Sequence, residues 1–166
     1  LKAIDDFAAF SINPSTGEVT LSGNPDYETK SSYSFTVLAD DGINPPTEKA
    51  VSLSIDNLDE VAPTITSGEL ATAIDENSGA GQVVYTAAAT DPAEDGPSNP
   101  VTYSFGGGLD DGDFTIDPTT GEVTLTANPD DETKGDYSFD VTATDAAGNA
   151  TTQTVTLDIN DLDEVA

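Results

Sequence analysis

The chain has 166 residues, enough for one domain or for one domain and part of another, and it carries 32 aspartates and glutamates against four lysines and no arginine, a net charge of −28. That balance excludes nucleic acid and direct contact with or insertion into an anionic membrane from the expected partners, because phosphate contacts need Lys and Arg. The absence of Cys and His removes disulfides, zinc–thiolate sites, thiol nucleophiles and the commonest general base, so only oxygen ligands for hard cations such as calcium and magnesium remain.

Strand signals run along the whole chain, in alternating apolar and polar stretches separated by turn residues. They predict strands at 10–12, 18–21, 32–39 and 50–55, and then at 72–74, 82–87, 101–105, 114–116, 122–125, 136–144 and 152–159. Alternation is clearest at Tyr137, Phe139, Val141, Ala143 and at Val155, Leu157, Ile159, which should face inward. Turn chemistry separates the strands: Asp117-Pro118-Thr119-Thr120-Gly121, Asn128-Pro129-Asp130 and Ala147-Gly148-Asn149. No segment reads as an amphipathic helix longer than a turn or two, and no apolar run reaches the about 18 residues of a membrane span. The acidic residues lie in short clusters between these stretches, which speaks for a folded β protein rather than disorder.

Residues 10–62 align with 114–166 at a constant offset of 104, without gaps, and 30 of the 53 aligned positions are identical. This is a tandem repeat. It sets the expected domains: 63–166 is a complete unit, and 1–62 is the C-terminal half of another, whose N-terminal strands are expected outside this chain. The chain is thus expected to be a soluble piece of something longer, with no leader peptide of its own. Half a sandwich does not bury its inner face, so the first unit is expected to be completed by a further piece of the protein, by a swapped partner chain, or across an inserted domain. Seven strands in about 100 residues is the count of an immunoglobulin-like Greek-key sandwich.

The acidic motifs come in a fixed order: Asp75-Glu76-Asn77, Ala89-Thr90-Asp91 leading into Glu94-Asp95-Gly96, Phe114-Thr115-Ile116-Asp117, Thr120-Gly121-Glu122-Val123, Asp130-Asp131-Glu132, Ala143-Thr144-Asp145 and Asp158-Ile159-Asn160-Asp161. In that order the chain resembles cadherin repeats over its whole length. The lack of Cys and Arg and the Leu-Asp-Glu-Val-Ala linkers look most like the repeats of large bacterial surface adhesins. The resemblance implies calcium ions, about two to three, at the junction between consecutive repeats. Their ligands would be Asp26 and Glu28 from the first unit, Asp56, Asn57 and Asp59 from the linker, and Asp91, Asp145 and the Asn99 carbonyl from the next. The family's Asp-x-Asp motif is here Asp91-Pro92-Ala93-Glu94-Asp95, so Glu94 or Asp95 would substitute for its second member. Glu76, Asp130, Glu132, Asn160, Asp161 and Asp163 would serve the following junction.

The function implied is a calcium-stiffened extender repeat of an extracellular, cell-surface adhesin, with the neighbouring repeats as partners, and not an enzyme. Alternatives are a direct adhesion module (homophilic or carbohydrate-binding), a split domain flanking an inserted ligand-binding domain, and an accessory domain of a secreted hydrolase. Paired carboxylates suit glycosidases, but here they recur with the repeat, and no tryptophan is present for a sugar platform. Two further motifs stand outside this scheme. Residues 106–113, Gly-Gly-Gly-Leu-Asp-Asp-Gly-Asp, resemble a single glycine-rich calcium-roll repeat, which one copy does not form, so a loop is expected. Asn149-Ala150-Thr151 matches the N-glycosylation triplet.

Overall fold

The computed structural model describes residues 1–92 and 100–163, and the chain divides into two units, Leu1–Leu58 and Asp59–Ala166. Both are β throughout. The helical pieces among the described residues are single 3₁₀ turns at Phe7–Ala9 and Asp111–Asp113.

In the first unit β1 (Phe10–Ile12) pairs antiparallel with β2 (Val19–Leu21), and β3 (Ser32–Ala39) with β4 (Thr47–Ser54). The β1–β2 turn closes because Asn13 Oδ1 accepts the Ser15 and Thr16 N–H groups and Gly17 takes φ +75°, a region costly for residues with a Cβ. Phe10 packs on Phe35 at 4.3 Å between ring centroids and edge-on to Tyr33 at 5.7 Å.

The second unit begins with β5 (Thr64–Ile65), β6 (Ile74–Asp75), β7 (Gln82–Thr86), β8 (Ala89–Thr90) and β9 (Thr102–Phe105). It continues with β10 (Phe114–Ile116), β11 (Glu122–Leu125), β12 (Asp136–Thr144) and β13 (Ala150–Asn160). One sheet has the order β10-β11-β7, the other β6-β13-β12-β9, and β5 pairs with β8. Their inner faces meet in one core: Val84, Phe114, Val123 and Leu125 from the first sheet, and Phe139, Val141, Val155, Leu157 and Ile159 from the second. The alternation expected in β12 holds, with Tyr137, Phe139, Val141 and Ala143 buried and the residues between them partly exposed. Phe114 and Tyr85 pack on Phe139 at 4.6 and 5.9 Å. The fold is the all-β, immunoglobulin-like sandwich the sequence predicts.

Two details differ from expectation. The strand expected over 72–74 is Ile74–Asp75, running parallel to the end of β13, and Thr72 instead donates its N–H to the Val84 carbonyl. The β5–β8 pair was not foreseen, because two-residue strands are too short to show an alternation. The four strands of the first unit match β10 to β13 at the offset of 104, yet burial differs. Leu53 is 37% exposed where its counterpart Leu157 is 0% exposed.

A shared fastening recurs in both units. Lys134 is paired with Asp110, lies 3.4 Å from Asp113 and sits over the Tyr137 ring at 4.4 Å. Its counterpart Lys30 pairs with Asp6 at 2.6 Å and sits 5.2 Å from the Tyr33 ring. These partners raise the Lys134 pKa above its usual value, the Asp110 hydrogen bond most of all.

Candidate metal centres

Among the described residues, two groups of three carboxylates stand together in the second unit, each residue bringing one oxygen within 4.8 Å of those of its partners: Asp59, Asp91 and Asp145, and Glu76, Asp130 and Glu132.

The first group forms where β12 ends. Asp145 follows the last residue of β12 and is 6% exposed. Its side chain organises the turn into β13: Oδ1 accepts the Gly148 N–H at 2.6 Å and the Asn149 N–H at 2.8 Å, and Oδ2 accepts the Asn149 side-chain N–H at 3.0 Å. The turn closes through Gly148 at φ +98° and the Asp145 N–H bonded to the Asn149 carbonyl. Burial works against the charged carboxylate, but the hydrogen bonds from Asn149, Gly148 and Ala147 outweigh it and hold its pKa below the ordinary value. Asp59 contributes from the start of the unit, with Oδ1 accepting the Val61 N–H at 3.2 Å. Asp91 follows β8 directly. Both are half-buried.

The second group lies at the opposite end of the β12–β13 ladder. Glu76 follows β6 and is 1% exposed. Its two oxygens accept the Leu162 N–H at 2.5 Å and the Asp131 N–H at 3.0 Å, and these two bonds, Leu162 first, hold its pKa below the usual range. Asp130 caps its own loop by accepting the Thr133 N–H at 3.0 Å. The turn after Glu76 depends on Asn77, which takes φ +56° and donates its N–H to the Pro129 carbonyl at 2.9 Å. An open cavity of about 570 Å³ beside this group is lined by Asn77, Asp130, Glu132, Thr133, Asp161 and Asp163.

The other expected ligands are placed as follows. Asn160 ends β13 and donates its side-chain N–H to Asp75 at 3.0 Å. In the first unit Asp26 accepts the Thr29 N–H at 3.0 Å and hydroxyl at 2.9 Å, which keeps its pKa low, and Glu28 is exposed in the same turn. Asp56 is exposed, whereas Asn57 Oδ1 is shielded from solvent and takes no hydrogen bond. Glu94, Asp95 and Asn99 lie outside the described residues. The glycine-rich stretch is tied to the fold by Asp111, which accepts the Gly107 and Gly108 N–H groups and the Asp140 N–H.

The donor set tests well against a hard cation. Every donor is oxygen, each group has one buried carboxylate kept ionised by the N–H groups it accepts from, and like charges held this close gain most from a cation between them. Calcium takes six to eight oxygens and accepts bidentate carboxylates, so three carboxylates plus carbonyls and water suffice. In the sequence Asn149 stands out only as the first residue of a glycosylation triplet, a pattern frequent by chance, and its hold on Asp145 is missed. The Asp-x-x-x-Asn spacing in a Gly-containing turn was the available signal.

The cadherin-domain family model matches residues 71–160. The chain is 34% identical over 167 residues to human protocadherin Fat 1, covering 98% of this chain and 4% of that protein. It is 37% identical over 164 residues to human protocadherin gamma-C4, covering 93% and 17% respectively. It therefore spans a small part of the length of these relatives. Among solved structures it resembles mouse cadherin-23 EC22-24 (26% identity, TM-score 0.58, covering 94% of this chain and 51% of that one). It also resembles the protocadherin gammaB7 EC3-6 cis-dimer structure (25% identity, TM-score 0.57, covering 98% and 40%). These relatives are animal proteins, and a bacterial adhesin parent finds no support among them.

Proposed function

The chain belongs to the cadherin family, and from that premise we propose that it is a calcium-binding, calcium-stiffened structural repeat segment of an extracellular, cell-surface adhesin. The observation that carries this reading is the placement of the two carboxylate groups at opposite ends of one ladder. A repeat that binds calcium at both ends suits a tandem array, whereas a catalytic module needs one convergent site. The β12–β13 ladder extends nine residue pairs, about 30 Å at roughly 3.3 Å per residue, so the groups are too far apart to act on one substrate. Within this proposal Asp59, Asp91 and Asp145 hold one part of a calcium site, joined by Asp26, Glu28, Asp56 and Asn57 on the strength of sequence. Glu76, Asp130 and Glu132, with Asp161 and Asp163, hold the other. Residues 1–62 are read as the later strands of a preceding repeat because they match β10 to β13 strand for strand.

Calorimetric titration tests the reading. Calcium should bind the chain at about 0.1 to 1 mM, the range of extracellular modules, and magnesium more weakly, because magnesium gives up its water reluctantly. Asp145→Asn should remove binding at one group and leave the other. Equal binding of both metals, or binding untouched by Asp145→Asn and Glu132→Gln together, would sink the proposal.

A further inference from the structure

Asn149 opens a glycosylation triplet, yet its side-chain nitrogen is already committed. That nitrogen carries two hydrogens, and it donates to two oxygens, Asp145 Oδ2 at 3.0 Å and the Asp59 carbonyl at 2.9 Å. A glycosidic bond at this atom would take one of those hydrogens. It would also have to emerge from a half-buried side chain. From this geometry we infer that Asn149 is a positioning residue for the Asp59–Asp91–Asp145 cation site and not a glycan acceptor. The inference rests on the calcium reading proposed above.

The physical case is that Asn149 fixes two of the three carboxylate bearers at once. Its backbone N–H and side-chain N–H hold both oxygens of Asp145, which sets the rotation of that carboxylate before any ion arrives. Its second side-chain hydrogen ties the backbone of Asp59, 90 positions earlier in sequence, to the same turn. Groups that orient metal ligands this way support affinity without touching the metal. Uncharged amide donors suit the task because they bind an ionised carboxylate without neutralising it.

The first unit carries the same device by a different route. Asp41 is the counterpart of Asp145 at the offset of 104, but the positions that follow have diverged, and Pro45 stands opposite Asn149. The asparagine has moved one place earlier. Asn44 holds Asp41 with its backbone N–H and its side-chain N–H, both at 2.8 Å. An asparagine clamp on this aspartate therefore appears twice, while the Asn-x-Thr triplet appears only once. The clamp, not the triplet, is the recurring feature.

The test uses the full chain carrying Asp130→Asn and Glu132→Gln, so that the other group is silenced, and titrates calcium by calorimetry. Asn149→Ala should weaken the remaining affinity by about ten- to a hundredfold, the effect of losing a group that orients a metal ligand. Thr151→Val, which destroys the triplet and spares the amide, should leave affinity unchanged. Amide exchange of the β12–β13 ladder in chelator should be the same in both variants, which separates a positioning role from a folding defect. Unchanged affinity in Asn149→Ala, with calcium still bound by its parent, overturns this inference alone. Failure of the parent to bind calcium overturns the calcium reading with it. A second measurement needs no variant: mass spectrometry of the unsubstituted chain secreted from glycosylating cells should find Asn149 bare, and a glycan there would overturn the assignment.

Discussion

Replacing Leu157 by alanine should cost far more than the same change at its repeat counterpart Leu53. Leu157 is 0% exposed in a closed core, so the loss includes the transfer of its side chain and the cavity left behind, about 3 kcal/mol, with 2–5 typical of such sites. Leu53 keeps 37% of its surface in water. Fully burying a leucine is worth about 1.5–3 kcal/mol, so the part realised at Leu53 is about 1–2 kcal/mol, without a closed cavity. Native-state hydrogen exchange reads the two ladders separately, through the amides of Phe139 and Phe35, which face Val155 and Val51. Leu157→Ala should speed exchange of the Phe139 amide by roughly a hundredfold, since each 1.4 kcal/mol is a factor of ten. Leu53→Ala should change the Phe35 amide by about five- to thirtyfold. Equal effects, or a larger one at Leu53, would refute the reasoning that identical sequence patterns here sit in differently closed cores.

Glycine substitutions should separate the units in the same way. Gly121 has φ +73°, and a Cβ there would lie 2.5 Å from the Ala87 carbonyl oxygen, whereas its counterpart Gly17 has φ +75° and open space around it. Gly17→Ala should cost about 1 kcal/mol for the left-handed conformation, and Gly121→Ala about 2–5 kcal/mol once the backbone clash is added; thermal melts of each variant check this. Asn44 holds the Asp41 pKa down to about 2. A lowered folded value means stability present above the ordinary carboxylate value near 4 and lost as pH falls through about 2. The melting-temperature penalty of Asn44→Ala should therefore be full above pH 4 and fade towards pH 2, and the Asp41 carboxyl resonance should titrate higher in the variant. A penalty independent of pH would contradict the assignment.

The strands legible in sequence were those long enough to alternate. β12 and β13 place their apolar residues in the core as the pattern predicts, because a period of two leaves each residue one face. The β5–β8 pair offered two residues a side and no period. The six clustered carboxylates were all singled out from the order of the motifs, and the fold brings them into two groups; that they ligate calcium is the proposal. What escaped the sequence was the work of side-chain amides and ammonium groups. Lys134 reaches back 24 residues to Asp110, and Asn149 bridges two acidic residues far apart in the chain, Asp145 and Asp59. Such partners follow from loop geometry rather than from residue type. The unequal burial of Leu53 and Leu157 has no signal in the strand pattern, since the residues around them are nearly the same; the signal available was the repeat count, by which 1–62 is expected to be half a sandwich with an open inner face.

The most direct measurement of the central claim is the melting temperature of the full chain in chelator, in about 10 mM calcium and in about 10 mM magnesium. At that concentration a site of 0.1 to 1 mM affinity adds about 1.4–2.7 kcal/mol, which for a domain of this size is a rise of roughly 5 to 20 °C. The account predicts such a rise with calcium and a clearly smaller one with magnesium. No rise, or the same rise with both metals, would mean that the carboxylate groups hold no calcium selectively, and the calcium-stiffened repeat would have to be abandoned.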